Sequence, residues 1–247
     1  MTFYIQTSER SLFEEQGLDS FQSFMAEGVA KVNRLVLSDG SVFYIKRCGA
    51  DATSVYLRML LYGRRPRSSA LRELQLLQIL RSSGFLTMEP VAWGEESLFG
   101  IPLRGFLVVR EVRGQDVSVL FEELNGLQKR ALMKSIGRLV GRLHTAGFFH
   151  PVRLKDMIRT DDGLVLIDRE TSKPWRSVFL RCKCLSSLET SARRTLREGH
   201  RIGAGSACAF LKGYRRGVAE HWKVWPQDLT SQVCLAWRNA ARKIKST

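Results

Sequence analysis

Residues 144–170, HTAGFFHPVRLKDMIRTDDGLVLIDRE, constrain this chain more than any other stretch. Gly147 closes a helical pattern. Met157 and Ile158 make a short apolar strand, and Asp161, Asp162 and Gly163 supply turn chemistry, with the glycine free to take positive φ. Leu164, Val165, Leu166 and Ile167 form a continuous aliphatic run suited to a buried strand. Asp168 follows at once. A hairpin built this way can bring Asp156 and Asp168 to one mouth, where two hard oxygen ligands suit Mg²⁺ with a bound nucleotide. Read alone, the same stretch is also an ordinary hairpin with acidic ends.

What precedes this stretch is mostly strand, and what surrounds it is mostly helix. Residues 1–20 read as an N-terminal extension. Strands are expected at 24–28, 31–37 and 42–47, the last two joined by the turn Ser38-Asp39-Gly40-Ser41. In the third strand Tyr44 and Lys46 share one face, and Phe43, Ile45 and Arg47 share the other. A helical piece and a basic loop occupy 51–67. Leu71, Leu74 and Leu77 then carry a helix over 70–80, capped by Ser68 or Ser69. Strands follow at 91–94 and 106–112, and Arg113-Gly114 breaks the pattern.

Beyond the break, helices are expected at 117–124 and 127–146. The longer one has Leu132, Ile136, Leu139, Val140 and Leu143 on one face. Further helical segments fall near 180–188, 207–216 and 230–244. This change of pattern predicts a sheet-rich lobe over 21–113, a helical lobe over 114–247 and a cleft between them. Taken singly, the polar residues have plain readings. Lys46 would be an edge-strand lysine facing solvent, and Glu73 a solvated or capping residue near a helix start.

The chain has 247 residues, enough for a sizeable core in one large domain or two lobes. No apolar run reaches membrane-span length, and the N-terminus lacks a signal-peptide layout. Five cysteines fit a reducing compartment, with Cys182 and Cys184 read as free thiols, so a cytoplasmic protein is expected. The net charge of +15 favours anionic partners. Its basic residues cluster at 58–72, 193–201 and 238–245. Arg64, Arg65, Arg67 and Arg72 are expected to lie exposed and to face an anionic acceptor. No helix-turn-helix, zinc-finger or RNP aromatic signature accompanies the charge, so nucleic acid is not the expected partner.

Several residues fall in a telling order. Lys46 sits in the third strand, Glu73 on the following helix, and Glu111 at a strand end beside a break. A long helix then enters a loop with His150, and two strands end at Asp168. This order resembles the bilobal protein-kinase fold, an α+β architecture. More narrowly, it resembles the bacterial lipopolysaccharide core kinases, which phosphorylate heptose or Kdo sugars. The segment SALRELQLLQILRSSGFLTMEPVAWGEE and the arginine-rich segment before it carry that narrower likeness.

The resemblance implies an ATP-dependent kinase with Mg²⁺. Lys46 would hold the α and β phosphates and Glu73 would pair with it. Glu111 and Val112 would meet adenine at the hinge. Asp168 matches the main metal aspartate, and Asp156 the second metal ligand. The acceptor implied is a sugar hydroxyl of an anionic glycolipid, reached by peripheral contact with an anionic membrane at the inner membrane's cytoplasmic face.

Two places depart from the pattern. The phosphate-covering loop, residues 26–30, has one glycine. The catalytic aspartate is replaced by Pro151, or by Val152 if the alignment is anchored on His150. Asp156 could act as base only in a shifted alignment. His150 is a substitute base or a structural histidine bonded to backbone. A kinase-like nucleotide-binding or regulatory protein without transfer activity is therefore the alternative.

Overall fold

The computed structural model describes residues 1–26, 32–168 and 181–220. It divides into two compact units: Met1–Arg113 with Val165–Pro174, and Gly114–Leu164 with Trp175–Thr247. Three expectations lie wholly or largely outside the described residues: the phosphate-covering loop, the helix at 230–244 and the basic cluster at 238–245.

The first unit is built on a five-stranded sheet. Its elements in chain order are β1 (Thr2–Ile5), α1 (Arg10–Glu15), α2 (Phe21–Met25), β2 (Val32–Val36), β3 (Val42–Cys48), α3 (Thr53–Leu61), α4 (Ser69–Ser82), β4 (Pro90–Leu98) and β5 (Ile101–Arg110). The strand order is β1-β4-β5-β3-β2, antiparallel at each pairing. Alternation along β3 and β5 divides the side chains between two cores. Phe43, Ile45, Phe106 and Val108 join Phe13, Phe21 and Phe24 on one face. On the other, Leu107 and Val109 pack with Ala70, Leu74 and Leu77 of α4, and Tyr44 lies against them.

Residues 1–20 are part of this unit's fabric: β1 pairs with β4, and Phe13 of α1 is fully buried. The strand expected at 24–28 is helix α2 up to Met25. Ser20 and Ser23 form a reciprocal capping box, each side chain accepting the other's backbone N–H at 3.2 and 3.1 Å. Phe21 and Phe24, three residues apart, then face one core as helix neighbours. Lys46 is not on an edge either, because β3 lies between β5 and β2.

The second unit contains β6 (Gln115–Asp116), α5 (Val117–Glu123), α6 (Gly126–Thr145), β7 (Met157–Thr160), β8 (Gly163–Leu166), α7 (Arg181–Arg197) and α8 (Ala204–Ala219). The unit boundary falls inside β8. Asp116 caps α5 through the Ser118 N–H at 2.6 Å, and Asn125 with Gln128 caps α6. Helices α6 and α8 meet along two glycine pairs, Gly137 with Gly141 and Gly213 with Gly217. A Cβ on Gly213 would lie 1.9 Å from the Lys134 carbonyl oxygen, and one on Gly137 would lie 2.1 Å from that of Phe210. Only glycine allows backbones this close. Beside them His144 is fully buried, with one ring nitrogen 2.9 Å from the Tyr214 hydroxyl and the other 3.0 Å from that of Ser187. Burial, and then the neighbouring Cys184, push the Tyr214 phenol far above its ordinary pKa, so it remains protonated.

Candidate phosphate and nucleotide site

Three of the expected residues come together within the first unit. Lys46 projects from the centre of β3, opposite Leu107 of β5 and Val32 of β2. Its Nζ lies 2.7 Å from Glu73 Oε1 and 3.2 Å from Asp168 Oδ1. Burial works against the charged ammonium, but the two carboxylates outweigh it and hold Lys46 above the usual lysine range. The ammonium is therefore charged at neutral pH.

Glu73 reaches Lys46 because α4 is fixed at its start and along its inner face. Leu74 and Leu77 pack on β5. Ser68 accepts the Leu71 N–H at 3.4 Å and gives its own N–H to Glu95 at 2.6 Å. Arg67 pairs with Glu95 at 3.1 Å, while Arg72 donates to Asp51 and to the Arg67 carbonyl, each at 2.7 Å. Gly105 leaves room for this arrangement, since a Cβ there would sit 2.7 Å from Ser68 Oγ.

This corrects the expectation for the arginines. Arg72 is buried and Arg67 half-buried, both used to build the helix start, and Arg64 is half-buried; Arg65 alone of the four is exposed. The charge pattern indicated a surface because buried arginine is rare. What it missed was the pair of partners, Asp51 and Glu95, that make burial possible. An acidic residue within a strand pattern, as at Glu95, was the available signal.

Asp168 is placed by the strand before it. Leu166 donates to the Leu86 carbonyl at 2.9 Å and accepts from Met88 at 3.3 Å, and Ile167 packs against the α4 core. Asp168 then turns into positive φ at 53°, with 65% of its side chain exposed. A non-glycine residue in this region stores strain that is typical of functional positions. Its carboxylate touches Lys46 yet remains open to a cation.

Glu111 and Val112 follow β5 directly. Glu111 gives its N–H to the Val42 carbonyl at 2.9 Å, and its carboxylate accepts from the Tyr44 hydroxyl at 3.2 Å. Val112 packs at the edge of the α4 core.

The remaining candidates lie in the second unit. Both oxygens of buried Asp156 are bonded to Arg153, at 2.6 Å from Nη2 and 3.0 Å from the backbone N–H. His150 and Pro151 are half-buried. Val152 is buried, and its N–H donates to Ser191 at 3.0 Å. Among the described residues, no cluster of three or more His, Cys, Asp or Glu forms a ready-made metal cage. Cys48, Cys184 and Cys208 are in no disulfide.

An antiparallel sheet with a packed helix, a strand lysine paired to a helix glutamate, and an aspartate beside both are the marks of the protein-kinase-like fold. The chain belongs to the lipopolysaccharide kinase (Kdo/WaaP) family, whose model matches residues 26–156, more than half of its length. That match takes in Lys46, Glu73, Glu111, Val112, His150 and Asp156, and stops before Asp168. The chain is 28% identical over 118 residues to the lipopolysaccharide core heptose(I) kinase WaaP of Pseudomonas aeruginosa. The shared stretch is 45% of this chain and spans 44% of that protein's length. A solved structure of WaaP in complex with acyl carrier protein shares the fold, with a TM-score of 0.63 and 21% identity over 98% of this chain and 99% of that one.

Proposed function

We propose that this chain is an ATP-dependent kinase that phosphorylates a sugar hydroxyl of the lipopolysaccharide core, an anionic glycolipid, at the cytoplasmic face of a membrane. The observation that carries this reading is Lys46, held charged between Glu73 and Asp168. Phosphoryl transfer asks a protein mainly for positioning and charge stabilisation. Lys46 would hold the α and β phosphates while Glu73 fixes its position. Asp168, already the more exposed partner, would hold Mg²⁺, which neutralises phosphate charge when bound with the nucleotide. With the Glu111 N–H committed to Val42, adenine contacts fall to the Glu111 carbonyl and the Val112 backbone.

Pro151 and Val152 cannot take a proton. Asp156 would join the reaction, as base or as second metal ligand, only after leaving Arg153. A neutral imidazole at His150 could accept the proton of the acceptor hydroxyl. General-base help is worth roughly 10²–10⁴ in rate, so a slow enzyme can work without the usual aspartate.

The arrangement at Asp156 and Val152 favours a second reading, nucleotide binding without transfer. The test is phosphate transfer from ATP to isolated lipopolysaccharide core, comparing the wild type with His150→Ala and Pro151→Asp. Transfer by the wild type that His150→Ala reduces about 10²-fold supports the kinase with a substitute base. A wild type that binds ATP but transfers nothing, with activity gained by Pro151→Asp, assigns the chain to the second reading.

A further inference from the structure

One surface of the first unit has no part in the proposed transfer chemistry. The β4–β5 hairpin turns through Phe99-Gly100, whose φ angles are 49° and 81°. Two successive positive φ values suit a type I′ turn, where Asn-Gly or Asp-Gly sits without strain. Phenylalanine is a poor choice there, and at 97% exposure it gains nothing from packing within the chain. Leu98 and Ile101 beside it are also exposed.

Helix α3 is joined to this hairpin through Tyr56. Tyr56 accepts the Asp51 N–H at 2.8 Å and donates to the Pro102 carbonyl at 2.9 Å, tying α3 to β5 just past the turn. Tyr56 and Met59 bury the inner side of α3. Leu57, Leu60, Leu61 and Tyr62 remain exposed, Leu61 at 78%.

Charge selects the partner. Arg58 and Arg65 are exposed on this helix and the loop after it. The nearby carboxylates are engaged within the chain: Asp51 with Arg72, Glu95 with Arg67 and Glu96 with Arg104. The face is thus apolar with a cationic rim. A second copy would bring the same rim and another net charge of +15 against it.

We propose that α3 and the Phe99 hairpin form a docking surface for an anionic lipid bilayer. Phe99 and Leu61 enter the boundary between headgroups and acyl chains, and Arg58 and Arg65 meet lipid phosphates. No helix among the described residues is long and apolar enough to cross a membrane. The inference deepens the reading above, in which the acceptor is lipid-linked.

The test is co-sedimentation of the full chain with phosphatidylglycerol-containing vesicles, against vesicles of phosphatidylcholine alone. Phe99→Asn creates the favoured Asn-Gly turn, so the double variant Phe99→Asn/Leu61→Gln keeps or raises the melting temperature. The wild type should partition onto anionic vesicles only. The double variant should lose about tenfold in partitioning, and Arg58→Gln/Arg65→Gln a similar factor at low salt. Absence of wild-type binding, or variants that bind as wild type does, overturns the proposal. So does self-association without lipid that the double variant abolishes, which would give the face to a second copy. ATP binding measured without vesicles should be equal in all three proteins, so failure of docking and failure of the kinase reading are separate results.

Discussion

At the scale of single residues, the Lys46–Glu73 pair divides structure from chemistry. Glu73 is 7% exposed at its side chain, so removing Lys46 alone takes the ammonium from a buried carboxylate. Lys46→Met should destabilise the fold by about 3–5 kcal/mol in denaturant titration, and Lys46→Met/Glu73→Leu should recover most of that loss. Neither variant should bind ATP. Because Lys46 is raised above 10.5 in the folded protein, its contribution to stability is fully present below pH 10.5. It is lost as pH rises through the higher folded value. The wild-type advantage over Lys46→Met should therefore hold level from pH 7 to 9 and shrink above 10.5. Strand alternation alone placed Lys46 and Tyr44 on one face, but it could not say that Glu73 waits there. That knowledge needed the helix packing, since nothing local distinguishes Glu73 from a solvated glutamate.

At the scale of elements, local chemistry decides which patterns are legible. The long helix α6 shows plainly in its apolar spacing, and its capping residues agree with that spacing. Helix α2 was hidden because its five residues are too few to show a helical repeat, while the decisive signal was the Ser20–Ser23 box. The α6–α8 contact was also invisible, because glycines four apart on two helices gain meaning only when the helices meet. Gly213→Ala should be among the most damaging single changes in the chain. Its Cβ cannot be housed unless the helices separate, so a loss of more than about 3 kcal/mol is expected in thermal or chemical unfolding. Gly203→Ala, where an added Cβ meets nothing within 4 Å, is the matched control and should change stability by less than about 1 kcal/mol.

At the scale of the whole molecule, one family order runs along the chain even where individual motifs are degraded. Lys46, Glu73 and Asp168 are separated by up to 122 positions yet share one ammonium. The Lys46–Glu73 pair was legible through the family order, whereas the contact of Asp168 with Lys46 and the fate of Asp156 were not: Asp168 was expected beside Asp156, and an arginine three residues upstream holds Asp156. The excess positive charge is also divided by the fold, some into buried structural pairs at Arg67 and Arg72 and some onto exposed faces.

In the proposed mechanism the Lys46 ammonium and the Asp168 carboxylate receive a metal–nucleotide pair. Asp168 is largely exposed, so Asp168→Ala should cost no more than about 1 kcal/mol of stability and leaves a folded probe. The direct measurement is calorimetric titration of ATP into the wild type and into Asp168→Ala, each with Mg²⁺ and with EDTA. Mg²⁺-dependent binding is expected in the wild type and no Mg²⁺ dependence in Asp168→Ala. Equal Mg²⁺-dependent binding by both proteins, or none by the wild type, would contradict it.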